Sequence, residues 1–242
     1  MTAADPGPAV KVFGTLLAGG VAALDATAVG QTLLAQPLVT ATFLGALWGD
    51  WTTALEVGMI LQLLAAGTLP LGSRTPEDYA TGGVIGVGLA VALATRHPFE
   101  MYRESCAVIG AIVGMVSATA GIPVLKWQRR VNEGLGRWCE ERLRAGDEGA
   151  LSAAHRAAIV LAFAAGVGWC AVWLALGGWG LARVVEGESL RLSRAWGLAQ
   201  PLWLGLGLAQ LLNVFLRRRL GRAALFAISL VGTWLVLMLR TP

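Results

Sequence analysis

The sequence predicts an all-α polytopic membrane protein with about six to eight apolar helical segments, some of them short, broken or re-entrant hairpin helices. Three observations carry this. The chain is 56% hydrophobic and only 14% charged, whereas soluble domains run near 45–50% and about 25%; its mean hydropathy is +0.64. Residues 153–181 and 197–216 each offer about 20 residues with almost no charge, enough to cross a hydrocarbon core of roughly 30 Å. Glycine makes up 32 of 242 residues, close to twice the usual ~7%. In a membrane that excess serves close helix packing and broken helices. The whole chain, 1–242, reads as one integral membrane domain.

The segments follow in order. "MTAADPGPAVKVFG" has no positive stretch ahead of an apolar run and no clear cleavage site, so no removable signal peptide is expected. The first apolar segment covers about 8–24 and ends beside Asp25. The next two, about 33–49 and 53–69, are short for full spans and are joined by the tight "GDWT". Together they predict a hairpin embedded in the membrane, tolerated only where protein or a cavity covers its non-helical backbone. The run "GTLPLG" then breaks the helix, because Pro70 lacks a donor and Gly67 and Gly72 relax the backbone.

Segments at about 80–95 and 105–124 follow. Gly45-xxx-Gly49, Gly82-xxx-Gly86 and Gly110-xxx-Gly114 each place small residues on one helix face. That spacing serves either dimerisation-type contacts or dense packing within the chain. Residues 125–150 read as an amphipathic cytoplasmic helix lying at the membrane surface. Leu125, Trp127, Val131, Leu135, Trp138 and Leu143 alternate with charges at near-helical spacing. Glu133, Glu140 and Glu141 in the same stretch argue against nucleic acid as a partner, and the net charge of +4 adds no such signal. Spans at about 153–182, 196–216 and 222–239 complete the chain. The basic stretches 126–144 and 217–222 are separated by two spans, so both can face the cytoplasm, with a loop at 183–194 outside.

No catalytic residue, metal site or cofactor is predicted. Cys106, Cys139 and Cys170 lack metal or disulfide spacing. His97 and His155 have no partner arrangement of a nucleophile or ligand set, and no GxxxxGK[ST] loop is present. The informative residues are polar ones inside apolar sequence: Asp25, Asp50, Glu56 and Gln62. A charge near the bilayer centre costs on the order of 3 kcal/mol, so it faces protein or a watery path. In "WGDWTTALEVGMILQLL" (48–64), Asp50, Glu56 and Gln62 point about 120° apart around a helix, so that helix is expected to be walled in by protein on all sides. Asp50 reads either as an N-cap accepting from Thr52 or Thr53, or as a ligand. Asp25 has no comparable capping context. The Gln62 amide suits a sugar hydroxyl or an interhelical hydrogen bond.

The stretch "ALDATAVGQTLLAQPLVTATFLGALWGDWTTALEVGMILQLLAAGTLPLGSRTPEDYATGG" resembles the N-terminal half of the IIC component of the mannose/fructose/sorbose family of the bacterial phosphoenolpyruvate-dependent phosphotransferase system. The strongest motifs fall within 18–90. Positions that match are Asp25, Pro37, Leu38, Val39, Gly45, Gly49, Asp50, Leu61, Leu63, Pro70, Gly72, Pro76 and Asp78. The sequence departs at Gln36, where the family carries Arg, at Gln62, where it carries Glu, and at Glu77, where it carries a second Pro. The resemblance implies a sugar permease subunit of the bacterial inner membrane, with no phosphohistidine of its own. It further implies a IID membrane partner, cytoplasmic IIA and IIB phosphocarriers, a hetero- or homo-oligomer in lipid, and a sugar-bearing core that moves against a scaffold. The paired loss of Arg and Glu reads either as an ion pair exchanged for two neutral amides or as the removal of a sugar-binding carboxylate. A non-transporting scaffold of the same system and an ion-coupled secondary carrier are the other readings.

Overall fold

The computed structural model describes residues 6–67, 75–96, 102–215, 221, 223–224, 226–229 and 231. Among them there are helices and no strand. Helix α1 spans Pro8–Ala23 and widens into a π-helical turn, Leu24–Ala28. Then come α2 (Pro37–Trp48), α3 (Trp51–Ala66), α4 (Tyr79–Ala94), α5 (Arg103–Ala120), α6 (Ile122–Arg144) and α7 (Ala150–Phe215). Three stretches are long and apolar enough to cross a membrane: Pro8–Ala28, Arg103–Arg144 and Ala150–Ala209. Phe13 on α1 and Leu198 and Leu202 on α7 turn apolar side chains outward. The fold is that of a multi-pass membrane protein. The last predicted span, about 222–239, lies mostly outside the described residues.

The α2–α3 hairpin forms as the sequence predicts. Pro37 opens α2 at its first turn, where its missing N–H and fixed φ do no harm. Gly49 closes α2 at φ +79°, a left-handed position that glycine alone adopts without strain. One residue later Asp50 caps α3, its side chain accepting from the Thr53 N–H. The two helices run back to back, with Gly45 against Ala54 and Trp51. At 12 residues α2 rises only about 18 Å, short of a full crossing.

Helix α4 is the centre of the molecule: all of its residues except Ala80 and Ala92 are buried. Its Gly82 and Gly86 face Gly110 and Gly114 of antiparallel α5. A Cβ on Gly86 would lie 2.6 Å from the Gly110 carbonyl oxygen, so the backbones pack almost without intervening side chains. These two small-residue motifs serve packing within the chain. Helix α3 packs against α2, α4, α5 and α7, yet Trp51 and Met59 are 50% and 42% exposed. The expectation of protein on every side is corrected to protein on most sides with an outward apolar strip.

Two further expectations change. Residues 183–194 are helical, and only Glu188 (φ −123°, ψ 16°) breaks α7. A straight helix of that length would reach about 100 Å; instead the chain rises and returns. Before the break, Trp169 meets Ser117 and Arg96 meets Gly178. After it, Ser189 meets Ser105, and Gly207 lies against Leu63. Nor does α6 lie alone along a surface. It pairs with the start of α7, Val124 and Leu125 sharing a small cleft with Ala165 and Gly166, while Cys139 and Ala150 are both buried towards the hairpin's far end. From residue 166 back to 150 is a rise of about 24 Å.

Candidate functional site

The four polar residues singled out in the sequence fall at two ends of the molecule. Asp50 and Gln62 stand at opposite ends of α3, about 18 Å apart along its axis. Asp50 belongs to the end where the hairpin turns, the tip end, and Glu56, midway along α3, shares its neighbours Glu104 and Trp196 with that side. Asp25 and Gln62 belong to the other, where a cavity opens.

At the tip end the carboxylates hold helices together. Asp50 is 3% exposed, and one oxygen caps α3 through Thr53 N at 3.2 Å. Its other oxygen is buried without a hydrogen-bond partner among the described residues and faces Nε of Arg103 on α5 at 3.9 Å, a charge contact only. Glu56 accepts a hydrogen bond from the Trp196 side chain on the returning arm of α7. Glu104 accepts from the Ser193 hydroxyl, and Ser105 Oγ donates to the Ser189 carbonyl at 2.7 Å. Lys11 Nζ reaches the Trp48 carbonyl at 3.5 Å. These bonds tie α1, α3, α5 and α7 together around the hairpin turn.

At the other end Asp25 organises a strained loop. Its carboxylate accepts from Thr32 N and, at 2.7 Å, Thr32 Oγ1 through one oxygen, and from Ala35 N at 2.9 Å through the other. The loop between the π-helical turn and α2 contains Gln31 at φ +50° and Leu33 at φ +72°. Left-handed backbone costs such residues roughly 1–2 kcal/mol each. A buried carboxylate bonding the loop's backbone N–H groups offsets that strain and satisfies non-helical backbone beside the membrane. Asp25 is therefore occupied by its own chain. The π-helical turn at Leu24–Ala28 is the local widening that brings it there.

Beyond that loop lies a cavity of about 550 Å³ between the ends of α2 and α3, the start of α4 and the face of α6. Gln36, Gln62, Asp78, Gln128, Arg129 and Asn132 line it. Gln62 Nε2 donates to Gln36 Oε1 at 2.6 Å, and Gln62 Oε1 accepts from Leu38 N at 3.2 Å. Two of the three positions that depart from the resembled pattern, Gln36 and Gln62, thus bond to each other. The Gln62 amide also caps α2 through Leu38 N, since the helix's own N-cap residue, Gln36, makes no side-chain capping bond. Among the described residues the Gln36 amide N–H groups have no partner, so they are available to a ligand. Asp78 is committed to α4, accepting from Thr81 N at 3.2 Å and Thr81 Oγ1 at 2.7 Å. Arg129 donates to Thr75 Oγ1 at 3.1 Å. The amides of Gln36, Gln62, Gln128 and Asn132 offer both donors and acceptors beside the charged Glu77, Asp78 and Arg129, a mixture that suits a polyhydroxylated molecule.

Other expected residues fall as follows. Pro76 lines the cavity, while Pro70, Gly72 and His97 lie outside the described residues. His155 is exposed in the first turns of α7. Cys106, Cys139 and Cys170 are free and buried. Among the described residues no group of three His, Cys, Asp or Glu could hold a metal ion. Sequence reading missed Gln128, Arg129 and Asn132, because it took α6 for a surface helix. Their signal is polar residues at i, i+1 and i+4 on one helix face. It also missed the cap at Asp78, although "DYAT" repeats the Asp-x-x-Thr spacing of "DWTT".

The comparisons with known proteins agree with this architecture. A solved structure described as "Structure of membrane protein" superposes with a TM-score of 0.68 at 17% identity, covering 96% of each chain. A chain of the mannose transporter ManYZ, solved in complex with microcin E492, superposes with a TM-score of 0.54 at 17% identity, covering 95% of this chain and 94% of that one. At such identity both show a shared fold. No curated protein matches the sequence significantly. The family described as "PTS system sorbose-specific iic component" matches residues 10–239, extending the resemblance of the first 90 residues across nearly the whole chain. The chain belongs to this family of phosphotransferase-system IIC components, the membrane part of a sugar transporter.

Proposed function

We propose that this chain is the sugar-translocating IIC subunit of a mannose-type phosphotransferase system. It moves a hexose or amino-hexose across the bacterial inner membrane, for phosphorylation by a cytoplasmic IIB component that is recharged by IIA. A IID membrane subunit completes the permease. The sugar contacts the cavity between the hairpin's open end and α6, through Gln36 and Gln62 with Gln128 and Asn132. Asp25 positions the loop that carries Gln36, and Asp50 and Glu56 hold the opposite end. The observation that carries this reading is the roughly 550 Å³ amide-edged cavity at the base of a hairpin too short to span. It adjoins a basic helix pair of the kind that marks the cytoplasmic side.

Uptake of labelled hexose by membranes holding the full IIA, IIB, IIC and IID set tests this. Gln62→Ala is expected to reduce uptake at least tenfold at equal membrane levels. Unchanged uptake in both Gln62→Ala and Asp25→Ala would overturn the site. Uptake that persists without the phosphocarriers would instead support an ion-coupled carrier. Saturable sugar binding without uptake would support a scaffold of the same system.

A further inference from the structure

A second recess lies near the tip end, away from the amide-edged cavity. It is a crevice of about 280 Å³ between α1, α4 and the rising arm of α7. Its walls are apolar: Val12 and Leu16 from α1, Leu89 and Leu93 from α4, Leu174 and Ala175 from α7. The polar wall atoms are already engaged. Thr15 Oγ1 donates to the Lys11 carbonyl at 2.8 Å and accepts from Trp48 Nε1 at 3.0 Å. The crevice therefore offers an occupant hydrocarbon contact and almost nothing else.

Arg96 is the exception. It follows α4 and lines the same crevice. It is exposed and makes one long hydrogen bond, Nη1 to the Gly178 carbonyl at 3.4 Å. Among the described residues no carboxylate pairs with it. A guanidinium with N–H groups to spare is a good match for a phosphate. Basic groups beside apolar clefts between membrane helices take phospholipid headgroups by the same chemistry.

We propose that this crevice is a phospholipid site, with an acyl chain between α1, α4 and α7 and the lipid phosphate on Arg96. The charge complementarity at Arg96 selects a lipid over a wholly apolar occupant. The satisfied wall selects an acyl chain over a peptide, whose backbone N–H and C=O groups would find no partners there. A bound chain fills space between the arm of α7 and the helices it packs on, joining the two through lipid as well as through protein.

Native mass spectrometry of the detergent-purified protein, with its co-assembling chains, tests this. Phosphatidylglycerol and diacylglycerol of the same acyl composition are added back after delipidation. The expected result is retention of phosphatidylglycerol by the wild type. Ala92→Leu and Ala175→Leu, which fill the crevice, should lower that retention at least tenfold. Arg96→Gln should lower phosphatidylglycerol retention to the level of diacylglycerol. Thermal unfolding of each variant identifies those that fold, and either crevice-filling variant suffices. Retention unchanged by filling, or unchanged in Arg96→Gln, would overturn the proposal. So would a cysteine at Val12 that crosslinks to another protein chain and not to a photoactivatable lipid.

Discussion

The two ends of α3 use similar polar side chains for different ends. At the tip end, Asp50 and Glu56 are engaged with Thr53, Arg103 and Trp196, and the result is a tied helix junction. At the open end, Gln62 and Gln36 engage each other and still edge a cavity wide enough for a small molecule. The comparison teaches that a polar residue in an apolar helix is not by itself a ligand. What matters is whether its partners come from its own chain and whether open volume lies beside it.

The largest effect that would sharpen this comparison is at Asp25. Asp25→Ala removes the acceptor for two backbone N–H groups and a hydroxyl while leaving a strained loop. Hydrogen bonds to charged groups contribute about 1.5–3 kcal/mol each, so a loss of about 3 kcal/mol is expected in the unfolding free energy measured in detergent. Uptake should fall with it. A variant of normal stability and lost uptake would make Asp25 a ligand and break the division drawn here.

At the tip end the expected loss is smaller. Asp50→Ala should cost about 1–2 kcal/mol, the usual value of an N-cap, whereas Asp50→Asn keeps an acceptor and should stay within about 0.5 kcal/mol of wild type. Thermal unfolding of the pair separates capping from charge. Equal losses in both would show that the contact with Arg103 outweighs the cap.

The smallest effect is the most specific. Gln36→Arg and Gln62→Glu should each disturb the amide pair, and the double variant should recover part of the loss. Side chains in contact show coupling of about 0.5–3 kcal/mol. A double-mutant cycle on stability and uptake measures it. Zero coupling would mean that the 2.6 Å contact between Gln62 and Gln36 carries no energy.

Much of the fold was legible in sequence because the bilayer imposes it. Apolar runs, the tight "GDWT" and the helix-start Asp at position 50 each follow from local rules. The split of the site was not legible. Asp25 and Gln62 are brought to the same end by a hairpin, a π-helical turn and left-handed residues such as Leu33, and no periodicity announces a loop held by one carboxylate. The role of α6 was hidden for a related reason. Its alternation of charge and apolar residues fits a membrane surface and a helix pair equally well, and only the packing of α6 on α7 separates them. The break at Glu188 falls inside the loop expected at 183–194 and next to Gly187, but its confinement to one residue within otherwise helical chain was not legible.

The central claim is that sugar is held at the cavity end and not at the tip. Ligand protection of single cysteines tests it most directly. In a variant whose three native cysteines are replaced, Asn132→Cys and Thr52→Cys are each labelled with a maleimide in open membrane fragments, with and without hexose. The expected result is that hexose slows labelling at position 132 at least fivefold and leaves position 52 unchanged. Protection at position 52 with none at position 132 would place the sugar at the tip and contradict it.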